Sequence, residues 1–210
     1  MTITEERTAT VETDGIEMDD ATEQPNDPSS DELDELFAWL EHSPVPEGYK
    51  VEIIEGTVFM SPQRDSHWET IRRIVRAMED RFGMDVRVKS DVRIDFPGEL
   101  NGLCPDVAKI ADDAKMNARG RWRYQDIEFI AEVISKRTAT NDYGPKKDIY
   151  ATAEVPVYVI ADPYIGRCRI FTDPQDGEYK TDVSLTYGKP IDLTSTTVDL
   201  TIPTDDFPKD

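Results

Sequence analysis

Residues 129–150 read FIAEVISKRTATNDYGPKKDIY and join the pattern of a buried strand to that of a helix. The first six residues are apolar and strand-forming except for one carboxylate, Glu132, and a buried charge is costly unless it is paired or bound to a metal. Pro145 suits the first position of a helix that runs to about Ala153. The apolar run at 155–163 predicts the next strand, so the order strand, helix, strand implies a crossover connection.

A second acid, Asp106, starts another apolar strand candidate at 106–111. If this strand pairs with the strand that holds Glu132, the two carboxylates converge at one edge of the sheet. Their hard oxygens would suit Mg²⁺ or Mn²⁺. The alternative without a ligand is that Asp106 caps a turn after Pro105 and that Glu132 pairs with an arginine.

The helix predicted at Pro145 supplies a positive charge for this acidic pair. Lys146 lies on the same helical face as Ile149 and Tyr150, whereas Lys147 is rotated by roughly 100°. We therefore expect Lys146 to point toward the sheet, with Tyr150 packed beneath it. A cation in the first turn opposes the helix dipole at a cost of about 0.3–1 kcal/mol, and the acidic pair is expected to compensate it.

Composition sets the broad class of the protein. The chain has 210 residues, enough for one sizeable core, and a formal net charge of −20. Taken alone, this charge argues against a nucleic-acid partner, because phosphates are repelled. Cys104 and Cys168 have no metal-ligand spacing and form no disulfide framework, which fits a reducing compartment. With no long apolar run and no signal-peptide pattern, we expect a cytoplasmic protein with no membrane partner.

The charge is unevenly distributed along the chain. Residues 1–30 hold nine acids and one arginine and almost no large apolar groups, so they cannot bury enough surface to offset the entropy of ordering. We predict a disordered acidic tail at 1–29 and one domain at 30–210, which starts with a helix capped by Ser30.

Three further segments have clear patterns. Residues 49–62 predict a β-hairpin. A long amphipathic helix is predicted to begin with a capping box formed by Ser66 and Glu69 and to stop at Gly83. Residues 84–95 alternate as one half-buried strand, with a phase shift that indicates a bulge near Ser90.

Taken together, these motifs resemble the Uma-two family of restriction endonucleases, within the PD-(D/E)XK nuclease superfamily. The superfamily pattern places a lysine two residues after the glutamate, where this chain has Ile134, but the Uma-two pattern places it on the following helix, as Lys146 does here. The matching pieces are VEIIEG with Glu52, His67 at the start of the long helix, CPDVAKI with Pro105 and Asp106, FIAEVIS with Glu132 and Ser135, DYGPKKDIY with Asp142, Lys146 and Tyr150, and VPVYVIADP.

The resemblance implies a restriction-endonuclease-like α+β fold, with a mixed central β-sheet flanked by helices. It also implies a metal-dependent endonuclease that hydrolyses DNA phosphodiester bonds. In that mechanism Asp106, Glu132 and the carbonyl of Val133 hold Mg²⁺ or Mn²⁺, and Lys146 orients or deprotonates the attacking water. Glu52 would bind a second metal or orient the first, but an exposed acid of the hairpin is an equal alternative.

Two features outside this set have competing interpretations. His67 lies on the apolar stripe of its helix, which favours a hydrogen-bonded core histidine over a site residue. The loop with Trp122 among Arg119, Arg121 and Arg123 is either a surface that stacks on bases and grips phosphates or a solvated charged face.

Other classes of function remain alternatives to a nuclease. The acidic surface also suits a catalytically silent nuclease fold used for binding or regulation, and a DNA-mimicking decoy ranks last because it would not need a buried Asp, Glu and Lys set. Many nucleases that cut both strands are dimers, so a homodimer is a candidate assembly, although the sequence shows no interface.

Overall fold

The computed structural model of the protein describes residues 28–62 and 65–210. Within these ranges the chain forms four α-helices, one short 3-10 helix at Tyr124–Asp126 and twelve strands. The helices are α1 (Pro28–Glu41), α2 (Asp65–Phe82), α3 (Ala139–Tyr143) and α4 (Pro145–Thr152). The strands are β1 (Tyr49–Ile54), β2 (Thr57–Pro62), β3 (Val88–Lys89), β4 (Ile94–Phe96), β5 (Asn101–Leu103), β6 (Val107–Ile110), β7 (Ile127–Val133), β8 (Val157–Asp162), β9 (Arg167–Gln175), β10 (Glu178–Thr186), β11 (Ile191–Asp192) and β12 (Thr201–Ile202).

The strands form a central six-stranded sheet and a smaller four-stranded sheet. The central order is β10-β9-β8-β7-β6-β3, the smaller order is β2-β1-β5-β4, and β11 pairs with β12. In the central sheet only β7 and β8 pair in parallel, and α3 and α4 lie in the connection between them. The predicted mixed sheet with flanking helices is therefore confirmed, as is the pairing of β6 with β7.

The central strands are apolar on both faces because both faces are covered. On β7, Phe129, Ala131 and Val133 pack in a cluster with the α2 stripe. Ile130 and Ile134 pack in a second cluster with the buried side chains of α4. Since side chains alternate along a strand, Glu132 enters the face that α4 covers.

The same alternation orients the smaller sheet. Ile53 of β1 packs with Leu33 and Leu40 of α1, whereas Ile54 belongs to the cluster that includes α4. The even-numbered residues of β1 therefore face the central sheet, and α1 covers the opposite face. Lys50 and Glu52 are among those even-numbered residues.

Both predicted N-terminal helix caps are wrong. Helix α1 begins at Pro28, so Ser30 lies inside it, and the last two residues of the predicted tail are helical. Helix α2 begins at Asp65, which places Ser66 within the first turn, where its hydroxyl donates to Asp210. Residues 1–27 of the predicted disordered tail lie outside the described residues.

The single strand predicted at 84–95 is also wrong. Its residues form β3, which pairs with β6 in the central sheet, and β4, which pairs with β5 in the smaller sheet. Between them Asp91 has a positive φ of 55°. The phase shift near Ser90 therefore marks the point where the chain leaves one sheet for the other. In the described part of the chain, no helix has the length and apolar character needed to cross a membrane.

Candidate active site

The four residues predicted from the sequence to form a site lie together in one cleft between the two sheets. Glu52 comes from β1, Asp106 directly precedes β6, Glu132 lies on β7 and Lys146 lies in the first turn of α4. All four side chains are buried. Val133, the predicted carbonyl ligand, also lines the cleft.

Lys146 is held by three carboxylates. Its Nζ atom lies 2.7 Å from Oε2 of Glu52, 3.0 Å from Oε1 of Glu132 and 3.1 Å from Oδ1 of Asp142. The side chain is 3% exposed. Lys147 instead pairs with Asp148, which is largely exposed. The predicted orientation of the two lysines on α4 therefore agrees with the structure.

The sequence predicted only that Tyr150 packs beneath Lys146. In the structure Tyr150 also makes a hydrogen bond within the site. Its hydroxyl donates a hydrogen bond of 2.8 Å to Oε1 of Glu132. The same carboxylate oxygen accepts a hydrogen bond from Lys146. Two side chains from one turn of α4 thus hold Oε1 of Glu132. The other oxygen, Oε2, accepts no hydrogen bond from these two side chains.

Strand register joins Asp106 to Glu132. Val107 pairs with Ala131, so the residue before β6 lies beside the glutamate. The N–H of Asp106 donates to Oε2 of Glu132 at 3.3 Å, and the N–H of Val133 donates to Oδ2 of Asp106 at 2.7 Å. The alternative prediction that Glu132 pairs with an arginine is wrong, because the positively charged groups that contact Glu132 are lysines.

The second cation of the site is Lys50, which the sequence analysis missed. Its Nζ atom lies 2.6 Å from Oδ1 of Asp106 and 3.4 Å from Oε2 of Glu132. Asp91 is 3.9 Å away. A period-two argument on the hairpin would have placed Lys50 on the same face as Glu52, but nothing in the sequence indicates that β1 lies over β6 and β7.

The interpretation of Glu52 as an exposed acid is wrong. Its residue exposure is 5%. One oxygen, Oε1, accepts a hydrogen bond of 3.0 Å from the N–H of Cys104, and the other contacts Lys146. This carboxylate therefore connects the smaller sheet to α4.

The buried charges shift one another's pKa values in opposite directions. Burial alone would raise the pKa of Glu132, but Lys146 and Lys50 lower it to about 2. Burial raises the pKa of Asp142 to about 7 against the opposing effect of Lys146. The pKa of Asp106 is raised by burial and by Glu132, with Lys50 opposing. Burial lowers the pKa values of Lys50 and Lys146, but the surrounding carboxylates raise both pKa values well above normal.

His67 lines the cleft near the N-terminus of α2. Its Nε2 atom lies 2.9 Å from the carbonyl oxygen of Ile134, and the residue is 6% exposed. This bond agrees with the interpretation of a hydrogen-bonded core histidine. It also ties the start of α2 to the end of β7, where the cleft opens.

The protein is similar to known proteins in both sequence and fold. The model of the Uma2 family, described as "Putative restriction endonuclease", matches residues 33–205. The chain belongs to the Uma2 family. Among solved structures it is similar to a "putative nuclease belonging to DUF820" from Anabaena variabilis ATCC 29413, with a TM-score of 0.63 and 14% identity over 83% of this chain and 96% of that chain. That likeness shows that the two proteins share a fold, and no curated protein sequence matches.

The donor set of this Uma2-family protein fits a small divalent cation. Oδ1 of Asp106 and Oε2 of Glu132 both contact a single positive group, the ammonium of Lys50, so their oxygens converge on one point. Mg²⁺ is typically bound by one or two carboxylates and keeps several waters. Within the described ranges, no group of three or more His, Cys, Asp or Glu side chains is placed to hold a metal ion together. The protein would therefore supply few ligands.

The net charge of the buried site also fits a divalent ion. Its four carboxylates and two lysines carry a formal excess of two negative charges when all six groups are ionised. Such an excess is unfavourable in a buried site unless a cation or protons compensate it. The carboxylates are Glu52, Asp106, Glu132 and Asp142, and the lysines are Lys50 and Lys146.

The basic loop of this Uma2-family protein is already paired with carboxylates. Arg119 contacts Asp31 and lies 2.8 Å from Asp34 of α1, and Arg121 contacts Asp34 and lies 3.0 Å from Asp95. The Trp122 ring lies beside Arg87 and Lys89, at 5.7 and 5.6 Å from their charged groups. Two of the three arginines that were candidates for phosphate contacts, Arg119 and Arg121, therefore form ion pairs with acids of α1.

Proposed function

We propose that this protein is a metal-dependent endonuclease that hydrolyses DNA phosphodiester bonds. The observation that carries the proposal is the convergence of Asp106 Oδ1 and Glu132 Oε2 on one cation position, with the Lys146 ammonium bound to the other Glu132 oxygen. A carboxylate pair beside a buried lysine has the components needed to bind a divalent ion and to stabilise charge on a phosphate.

Asp106 and Glu132 would hold Mg²⁺ or Mn²⁺, with the Val133 carbonyl as a further ligand. The bound ion would supply Lewis-acid neutralisation of charge at the scissile phosphate. The backbone N–H of Val133 holds the Asp106 carboxylate in place through its 2.7 Å bond to Oδ2. Tyr150 does the same for Glu132 Oε1.

Lys146 acts in this proposal as a fixed positive charge that orients the attacking water and stabilises the phosphate. Three carboxylate oxygens within 3.1 Å favour its ammonium form, so it is a poor proton acceptor. Glu52 and Asp142 are positioning residues that hold the ammonium against Glu132. This arrangement favours the orienting role of Lys146 over the deprotonating role.

The acidic net charge requires a local basic surface for DNA. Lys136 and Arg137 directly follow the last buried residues of the β7 segment, are exposed, and have no carboxylate partner among the described residues. Ser135 and Thr138, on either side of them, line the cleft. We call the segment from Ser135 to Thr138 the cleft mouth, and we expect its two cations to contact phosphates on either side of the cut.

The alternative is a catalytically silent nuclease fold that binds or regulates. The favouring observation is Lys50, whose ammonium already bridges Asp106 and Glu132 and partly neutralises the site without a metal. A binding module needs no divalent ion, whereas the nuclease does.

Cleavage assays separate these functions. Plasmid and single-stranded DNA are incubated with the protein and Mg²⁺ or Mn²⁺, with and without a chelator, beside Asp106→Ala and the surface control Lys147→Ala. The nuclease proposal expects metal-dependent cleavage that the chelator and Asp106→Ala abolish and Lys147→Ala retains. DNA binding without cleavage by the wild type would favour the silent module. The ratio of nicked to linear plasmid, together with light scattering, tests whether the candidate homodimer forms.

A further inference from the structure

We infer that Lys50 is an internal cation that occupies the divalent-ion position between Asp106 and Glu132 and must leave it when the ion binds. The inference rests on the ion site of the proposed function. It assigns to Lys50 a role as a competitor of the metal, which neither the family match nor the structural similarity provides.

The contacts identify the shared position. The Lys50 ammonium bonds Oδ1 of Asp106 at 2.6 Å and approaches Oε2 of Glu132 at 3.4 Å. The remaining oxygens are committed elsewhere, because Asp106 Oδ2 accepts from the Val133 N–H and Glu132 Oε1 accepts from Lys146 and Tyr150. The oxygens that face an incoming ion are thus the two that Lys50 contacts, of which Glu132 Oε2 also accepts a hydrogen bond of 3.3 Å from the Asp106 N–H. An ammonium and a divalent cation cannot share them, because like charges repel strongly at such distances.

Lys50 is the lysine that can withdraw. Lys146 has three carboxylate oxygens within 3.1 Å of its ammonium, whereas Lys50 has one at 2.6 Å and the next at 3.4 Å. A third carboxylate, Asp91, lies 3.9 Å from the Lys50 ammonium with 34% of its side chain exposed. The Asp91 N–H bonds the carbonyl of Pro105 at 2.9 Å, which keeps Asp91 beside the site. Lys50 can therefore move toward the cleft rim without losing a counter-charge.

This competition lowers the apparent metal affinity. When only a fraction of the protein has its site open, the apparent dissociation constant rises by the inverse of that fraction. Without metal, Lys50 neutralises two buried carboxylates that would otherwise lack one of their counter-ions, so it also stabilises the fold. Removing its charge should therefore have opposite effects on metal binding and on metal-free stability.

The test compares Lys50→Met with the wild type by calorimetric titration with Mn²⁺ and by thermal unfolding with and without Mn²⁺. Methionine keeps the length and apolar stem but removes the charge. We expect Mn²⁺ to bind about tenfold tighter or more, the metal-free Tm to fall, and Mn²⁺ to raise the Tm more than in the wild type. Lys50→Gln is a second neutral variant, expected to change affinity in the same direction.

Lys109→Met is the matched control. Lys109 is likewise a buried lysine on a sheet strand, but it pairs with Glu128 and does not line the cleft. Its replacement should lower the Tm and leave the Mn²⁺ affinity unchanged. An equal gain of affinity in this control would show a general charge effect and overturn the inference.

Unchanged or weaker Mn²⁺ binding in both Lys50 variants would overturn the inference, and so would the absence of binding in the variants and the wild type alike. Variants that fold only with Mn²⁺ would support it, whereas variants that do not fold even with Mn²⁺ would assign Lys50 a structural role instead. The proposed function is tested separately by wild-type cleavage. Tighter binding in Lys50→Met without wild-type cleavage would leave the inference standing and the nuclease proposal refuted.

Discussion

The Nζ atom of Lys146 lies 3.0 Å from Oε1 of Glu132, a residue fourteen positions earlier in the chain. The contact joins the first turn of α4 to the middle of the central sheet. It takes one oxygen of Glu132 and leaves the other directed at Asp106 and Lys50. The site therefore has two parts. Lys146 is a fixed cation on one side of Glu132, and the position for a metal ion lies on the other side.

Replacement of Lys146 should remove cleavage while Lys147 tolerates the same change. Lys146→Ala is expected to lower the cleavage rate by about 10²–10³, the usual effect of losing one positioned electrostatic donor. Circular dichroism should show a retained fold with a lower Tm, because three buried carboxylates lose a partner. Lys147→Ala should cleave at nearly the wild-type rate. An inactive Lys147 variant with an active Lys146 variant would refute the assignment.

Removing either member of the carboxylate pair should abolish divalent-ion binding. Asp106→Ala and Glu132→Ala are each expected to show no Mn²⁺ binding by calorimetry, because one carboxylate leaves too few charged oxygens at the site. Asp148→Ala removes a surface acid of the same helix that carries Lys146 and should bind Mn²⁺ normally. Binding that persists in both site variants would place the ion elsewhere.

Glu52→Gln tests whether Glu52 binds a second metal, one of the roles that the family resemblance implies, or only holds Lys146. If Glu52 only holds Lys146, the variant should bind Mn²⁺ with wild-type stoichiometry and cleave more slowly. If Glu52 binds a second ion, the stoichiometry should fall. We expect the first result, because both Glu52 oxygens are already engaged, by Lys146 and by the N–H of Cys104.

The cleft mouth should govern DNA affinity and its salt dependence. Replacing both Lys136 and Arg137 by serine should weaken binding and reduce the slope of log affinity against log salt by about 2, roughly one for each lost phosphate contact. The control Lys180→Ser changes a cation of β10 that pairs with Glu178 and should leave the slope unchanged. Fluorescence anisotropy at several salt concentrations measures both. An unaltered slope in the double variant would exclude this surface.

Asp142 should make the metal-free protein less stable as pH rises. Its pKa is raised from 3.8 to about 7 in the fold, so between these values the folded state holds a proton that the unfolded state has lost. Its stabilising contribution is therefore full below about pH 4 and lost as pH rises through about 7. Relative to Asp142→Asn, the wild-type free energy of unfolding should fall between pH 5 and pH 8 by on the order of 1–3 kcal/mol.

Urea unfolding in chelator from pH 5 to pH 8 measures this difference. The lower limit avoids Glu132, whose pKa is lowered to about 2 and whose contribution is lost only as pH falls below its usual value of 4.5. Parallel stability curves for the wild type and Asp142→Asn would contradict the prediction.

Local patterns in the sequence were enough to predict the centre of the fold and three candidate site residues, Asp106, Glu132 and Lys146, whereas Glu52 was predicted only from the family resemblance. The 3.6-residue repeat of α4 separates Lys146 from Lys147, and an apolar strand that contains one acid predicts that Glu132 needs a partner. The adjacent strands β6 and β7 then bring Asp106 to Glu132 through their register. Each inference depends on residues close in sequence or on neighbouring strands, for which alternation and periodicity carry the information.

The other contacts of the candidate site and of the basic loop depend on packing between elements that are distant in sequence. Lys50 reaches Asp106 and Glu132 across 56 and 82 positions, and no periodic pattern indicates which strand of one sheet lies over which strand of another. The arginines at 119 and 121 looked available in sequence, but tertiary packing brings α1 against them and pairs them with its acids. Charge contacts of this kind depend on where distant elements dock, which is set by the summed burial of apolar faces rather than by any local segment.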